Sequence, residues 1–260
     1  MKTMIQKSSV IVFGGLLIIA ALLLISSQNK IIDKKESGLP GSKSIAVLEL
    51  FTSQGCSSCP PADALLAEYA AAHNERVIPL SFHVDYWNRL GWADPFSNKA
   101  YSERQQWYSQ HLPKGSVYTP QLIVNGRGEA VGNNRTTVKN LVQDALSSDR
   151  QAIILLGDVS IDKNTVSFHY TSSNTNMNDV LNIALVQKQA TTHIKAGENE
   201  GVTITNHNIV RAFETQSISN EGTGSVNLPA MFKSSEYALV LYVQNKNDLS
   251  ITTATMKDLQ

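Results

Sequence analysis

An excess of charge of either sign is the first thing missing from this chain. Its 260 residues carry 22 Lys and Arg against 22 Asp and Glu, a formal net charge of zero. Nucleic acid is therefore a poor main partner, because displacing the counterions around phosphates needs surplus basic residues. Cysteine is scarce as well: there are two, Cys56 and Cys59. Two cannot staple a miniature fold, nor supply a four-cysteine zinc site. Also missing are a glycine-rich phosphate loop, a GxSxG nucleophile elbow, an HExxH zinc motif, an internal repeat and any low-complexity tract. What is present is an ordinary globular composition, 42% apolar with 15 Gly and 8 Pro. The length fits one large domain or two small ones at roughly 150 residues each.

Lys2 and Lys7 precede residues 10–25, an apolar run without a charge. As a helix it would rise about 24 Å, somewhat less than a hydrocarbon core of about 30 Å. Residues 1–27 are thus read as a signal peptide or a membrane anchor, an N-terminal hydrophobic helix that is removed or retained. In either case the short basic tail stays inside, and the remainder is expected in the cell envelope, periplasmic or secreted, where disulfides persist. Residues 28–43 are charged, carry Gly and Pro, and read as a linker.

From residue 44 onward the patterning predicts strands at 45–51, 77–84, 119–124 and 129–131, and helices starting near 56–60 and spanning 99–111 and 136–149. The order is β-α-β-α-β-β-α. After about residue 150 helical periodicity stops. Alternating segments around Val166, Phe168 and Tyr170, around Leu181, Ile183 and Leu185, and at 237–243 and 251–256 predict a compact all-β unit. The expected domains are an α/β domain at 44–149 and a small sandwich-like all-β domain at 150–260.

Cys56-Ser57-Ser58-Cys59 lies between the end of the first strand and the start of the first helix. A helix N-terminus favours an anion, so Cys56 is the candidate attacking thiolate and Cys59 the resolving thiol. Ser57 and Ser58 add no full charge to that balance. A purely structural staple is a weaker account, since closing a four-residue loop stabilises by only about 2 kcal/mol. Two buried, unreactive cysteines are the blandest alternative. A soft-metal site is another: copper(I) suits two sulfurs, with His83 as a possible third ligand, whereas zinc would need two more ligands.

Taken with the strand that follows residues 117–120 (VYTP), the arrangement resembles the thioredoxin superfamily. That resemblance implies a thioredoxin-like fold in which Pro120 is cis and the backbone of Thr119 pairs with the substrate chain. It also suggests an acid for proton transfer to Cys59. The candidate is Glu49, seven positions before Cys56, although the superfamily usually places that acid six before, where Leu50 stands here; the alternative is a strand residue whose carboxylate reaches solvent or a partner. More narrowly, LELFTSQGCSSCPPAD (48–63), LSFHVDYWNRLGWADPF (80–96), YSERQQWY (101–108), VYTPQLIVNG (117–126), AGENEG (196–201) and HNIVR (207–211) resemble a secreted bacterial family known as domain of unknown function 1223.

Trp87, in an aromatic-rich insert with Tyr86, Trp92, Tyr101, Trp107 and Tyr108, is either core or the wall of a substrate groove. Glu198, Asn199, His207 and Arg211 either form a site or, as the plainer reading, an Arg–carboxylate network docking the two domains. The expected activity is thiol–disulfide exchange, with Cys56, Cys59 and Glu49 as catalytic candidates and Thr119, Pro120 and Trp87 as substrate-binding ones. No cofactor or resident metal is required. The expected partners are a protein or small thiol/disulfide substrate, a redox partner protein, and the membrane if the N-terminal helix is retained. The alternatives are copper binding or delivery by the same pair, and a non-catalytic scaffold.

Overall fold

The computed structural model describes residues 44–113, 115–148 and 152–260. The expected N-terminal hydrophobic helix and linker lie outside them. Among the described residues no helix is long and apolar enough to cross a membrane.

The first strand, β1 (Ala46–Thr52), is buried at every position. Leu48 and Leu50 face helix α1 (Pro60–Ala71) and helix α3 (Arg135–Ser147), packing with Leu65, Leu66, Val138 and Val142. Val47 and Phe51 point the other way, toward Tyr101 and Tyr108 of helix α2 (Lys99–Ser109). Successive side chains of a strand alternate between faces, so a strand covered on both must be apolar throughout. Strand β2 (Val77–His83) runs parallel to β1, with Thr52 opposite His83. On the other side β3 (Gln121–Val124) is antiparallel and turns through Asn125 and Gly126 into β4 (Gly128–Val131).

The remaining strands do not form a separate body. β7 (Asp179–His193), β8 (Thr203–Ser217), β10 (Tyr237–Asn245) and β11 (Ile251–Asp258) join the same sheet in the order β11-β10-β7-β8-β2-β1-β3-β4. The junction is narrow. Ser81 of β2 pairs in parallel with Ile209 of β8, and Asn208, at φ 48°, donates its side-chain amide to the Pro79 carbonyl at 2.9 Å. A proline in a central strand lacks a ladder N–H. Here an asparagine side chain takes up the neighbouring carbonyl. A second sheet, β5 (Ile153–Asp162), β6 (Thr165–Ser173) and β9 (Glu221–Asn227), packs Ile154, Val166, Phe168, Tyr170 and Val226 on Leu181, Ile183, Leu185, Leu239 and Leu241.

These strands correct the expectation of an α/β thioredoxin-like domain followed by a small all-β sandwich-like domain. The described residues hold three α-helices against eleven strands, in one eight-stranded mixed sheet and one three-stranded sheet. The physical reason is the β2–β8 bridge, which merges the two expected sheets into one. Such an edge-to-edge pairing leaves no local hydrophobic period to read.

A buried ion pair holds the merged sheet under α2. Glu49 is fully buried on the α2 side of β1 and receives Arg104 Nε at 3.0 Å and Nη2 at 2.7 Å on one carboxylate oxygen. Tyr242 of β10 donates to that oxygen at 2.6 Å, and Tyr108 donates to the other. Arg104 also donates to Gln244 Oε1 at 3.1 Å and lies 4.7 Å from the centroid of the Phe213 ring. Burial alone would lower the Arg104 pKa, but Glu49 and the two tyrosines raise it overall. Replacing Arg104 by Met leaves an uncompensated buried carboxylate and is expected to cost about 3–5 kcal/mol in urea unfolding. The Glu49→Gln/Arg104→Met double variant is expected to lose less than the sum of the two single losses; strict additivity would show that the pair is not coupled.

Candidate functional site

The sheet brings four segments to the C-terminal end of β1. The first is the cysteine turn itself, where Cys56 and Cys59 form a disulfide. The Gly55 amide donates to Ser53 Oγ, the Cys56 amide to Ser53 O, and the Cys59 amide to Cys56 O. Cys59 is the N-cap of α1, followed by Pro60 and Pro61 in the first turn. Proline suits that place because its absent N–H would be an orphan there. The consequence is that α1 has few donors to offer an anion. Pro60 and Pro61 have none, and the Ala62 and Asp63 amides both donate to Cys59 O, at 2.8 and 3.1 Å.

The second segment is the loop before β3. The Thr119–Pro120 peptide is cis, the geometry the resemblance implied. Ser58 Oγ lies 3.3 Å from Cys56 Sγ and 3.5 Å from Thr119 O, so Thr119 faces the cysteine turn across one serine. Gln105 of α2 donates to Tyr118 O and Gln121 Oε1, both at 2.7 Å, and fixes the loop from behind. Trp87 Nε1 donates to Thr119 Oγ1 at 2.8 Å. The structure thus brings Cys56, Cys59, Thr119, Pro120 and Trp87 together. Glu49 stands apart, on the face of β1 turned away from α1 and held by Arg104, Tyr108 and Tyr242.

The carboxyl group in the first turn of α1 is Asp63, four residues after Cys59, which sequence reasoning missed. Its place on the buried side of an otherwise apolar turn was the available signal. Burial pushes its pKa up to about 7, against the lowering influence of nearby His83. His83 Nδ1 bonds Asp94 Oδ2 at 2.7 Å. Burial lowers the His83 pKa, but Asp94 outweighs it and the net shift is upward. His83 and Asp94 thus form a buried pair that lies near enough to Asp63 for the His83 charge to oppose the rise caused by burial. Asp63 Oδ1, His83 Nε2, Ser81 Oγ and Asn206 Nδ2 are buried with no hydrogen-bond partner among the described residues.

The third and fourth segments are the insert after β2 and the loop between β7 and β8. Gln54 joins them: its amide donates to Asp94 Oδ2 at 2.8 Å, its side chain donates to Asn206 Oδ1 at 2.9 Å, and Trp92 donates to its Oε1 at 3.2 Å. From the β7–β8 loop, Asn199 donates to Gln54 O and Cys56 O at 2.9 and 3.0 Å. Glu198 accepts the Ser57 amide at 3.1 Å. Of the four residues read as a site or a docking network, Glu198 and Asn199 meet the cysteine turn, whereas Arg211 bonds Gln187 and lies over Phe96. Both cysteines are fully buried, while Ser57 and Ser58 are exposed. No group of three His, Cys, Asp or Glu side chains among the described residues is arranged to hold a metal ion. A cavity of about 500 Å³, lined by Asn125, Arg127, Asp144 and Asn176 among others, opens elsewhere and includes neither cysteine.

Asp63 makes folding pH-dependent in a defined direction. Its folded pKa, about 7, lies above the ordinary 3.8, so the folded chain keeps a proton that the unfolded chain releases, and stability falls as pH rises through that window. Asp63→Asn removes this loss. The variant is expected to match the parent near pH 4 and to exceed it at pH 8 by roughly 2–4 kcal/mol in urea unfolding. A gap that does not widen with pH would show that the carboxyl group is ionised throughout.

A family model described as "Protein of unknown function (DUF1223)" matches residues 47–244. A crystal structure of protein AGR_C_4864 from Agrobacterium tumefaciens is similar at 27% identity and a TM-score of 0.60, over 84% of this chain and 97% of that one. A domain of the outer membrane lipoprotein Omp28 from Porphyromonas gingivalis matches at 10% identity and a TM-score of 0.27, over 44% of this chain and 91% of that one, too remote to inform the fold. No curated protein matches the chain. With more than half its length matched, and the cysteine turn, the Thr119–Pro120 loop and the Glu198–Asn199 loop all inside the match, the chain belongs to the DUF1223 family.

Proposed function

We propose that the protein is a thiol–disulfide oxidoreductase of the cell envelope. The observation that carries this reading is the Cys56–Cys59 disulfide at the β1–α1 junction, with the Thr119 carbonyl facing it across Ser58. In the reducing direction the Cys56 thiolate attacks one sulfur of a substrate disulfide. A Cys56–substrate bond forms and one substrate thiolate leaves. Cys59, after losing its proton, attacks Cys56 Sγ, restores the internal disulfide and releases the second substrate thiolate. Two electrons pass to the substrate, and the oxidising direction is the same sequence reversed. Thr119 and Trp87 flank the approach. The substrate class is a protein or small molecule bearing a thiol or disulfide, and a redox partner protein resets the pair. Residues 1–27, with Lys2 and Lys7 before the apolar run, support the envelope location.

A second reading is favoured by the complete burial of both sulfurs: a structural clamp across the turn. Titration of the native protein against dithiothreitol separates the two. Exchange predicts one two-electron midpoint, abolished in both Cys56→Ser and Cys59→Ser, and a trapped mixed disulfide with substrate in Cys59→Ser. A clamp predicts a pair that reduces only on unfolding, and a double Ser variant about 2 kcal/mol less stable with no exchange activity to lose.

A further inference from the structure

We propose that Glu198, on the loop between β7 and β8, is the residue that holds the disulfide closed and sets its potential, by occupying the Ser57 amide with a negative charge. The inference rests on the oxidoreductase reading and deepens it. A thiolate at Cys56 is stabilised by whatever N–H and O–H donors surround it. In this turn the usual supply is depleted. Pro60 and Pro61 have no N–H, and the Ala62 and Asp63 amides are committed to Cys59 O. The Ser58 hydroxyl, 3.3 Å from Cys56 Sγ, and the amides of the two serines remain. Glu198 takes one of those amides at 3.1 Å. The contact is charge-assisted, and the Ser57 hydroxyl and amide hold the Glu198 carboxyl below the usual range.

Two effects follow. First, a fixed negative charge beside the turn disfavours a second one on Cys56, so the thiolate, and with it the dithiol state, is destabilised relative to the disulfide. Second, Glu198 and Asn199 together pin the backbone on both sides of Cys56, at Ser57 N, Cys56 O and Gln54 O. Cys56 is fully buried, and in this proposal release of these backbone contacts is the movement that lets a nucleophile reach its sulfur. Glu198 is a positioning residue in this account, since it touches the turn and not the reacting sulfur. The titratable groups on the inner side of the motif include Asp63 and the His83–Asp94 pair. Substitution at Glu198 leaves them in place.

The test compares full-length parent, Glu198→Gln, Glu198→Ala and Glu200→Gln by equilibration with glutathione and by alkylation of the reduced protein with iodoacetamide between pH 4 and 9. Glu198→Gln keeps an acceptor for the Ser57 amide but removes the charge. It is expected to shift the equilibrium toward the dithiol by about 3- to 10-fold and to move the alkylation profile of Cys56 to lower pH. Glu198→Ala should show the same shift and, in addition, faster reduction of the oxidised form by dithiothreitol. Glu200→Gln removes the same formal charge two residues away, and its shift should be under twofold. Equal constants in the parent and both Glu198 variants would overturn the role of Glu198 while leaving the oxidoreductase reading intact. A parent disulfide that does not exchange at all would overturn that reading and this one together.

Discussion

The carboxylate of Glu49 and the guanidinium of Arg104 are buried against each other in the middle of the large sheet, and an ion pair removed from water is tolerated only when every remaining hydrogen-bonding position is filled. Filling them takes three elements at once: β1 supplies the acid, α2 supplies Arg104 and Tyr108, and β10 supplies Tyr242 and Gln244. Helix α2 therefore has its full seat only when strands from both halves of the chain lie side by side. The next residue, Gln105, carries that order onward by gripping Tyr118 O and Gln121. The loop that faces the disulfide is thus placed by a contact chain that begins at the charge pair.

Much of the local structure was legible. The apolar run at 45–51 is β1, shifted by one residue, and Pro-Pro after the second cysteine marks the start of α1. The Asn125-Gly126 pair turns β3 into β4. What could not be read is the assembly. The bridge from Ser81 to Ile209 and the Asn208 amide on Pro79 O link residues about half the chain apart, and neither partner carries a pattern that names the other. The expected separate sandwich followed from treating residues after 150 as self-contained, when the 15-residue strands β7 and β8 extend the first sheet.

The site divides along similar lines. The cysteine pair, Thr119, Pro120 and Trp87 are recognisable from residue type and order. Glu49 was chosen by distance along β1, but strand alternation turned it to the α2 side, where Arg104 claims it. Asp63 goes unassigned in the sequence, and Glu198 is readable there only as one of four residues forming a site or a docking network, because the meaning of the two comes from opposite surroundings. The first is desolvated and holds its proton to about pH 7. The second is exposed, and its charge is favoured by the amide and hydroxyl it bonds. Two carboxyl groups on either side of one turn therefore shift in opposite directions, Asp63 upward by burial and Glu198 downward by the hydrogen bonds it accepts.

The loop that pins Cys56 lies some 140 residues after it in the chain. Ribosomes work from the N-terminus, so during biogenesis the cysteine turn emerges while its cover is still unmade. For that interval the turn lacks the backbone contacts that residues 198 and 199 make to it in the folded chain. The same ordering limits transplantation: a β1–α1 segment grafted elsewhere would carry the Cys-Ser-Ser-Cys motif but not the contacts that hold its backbone.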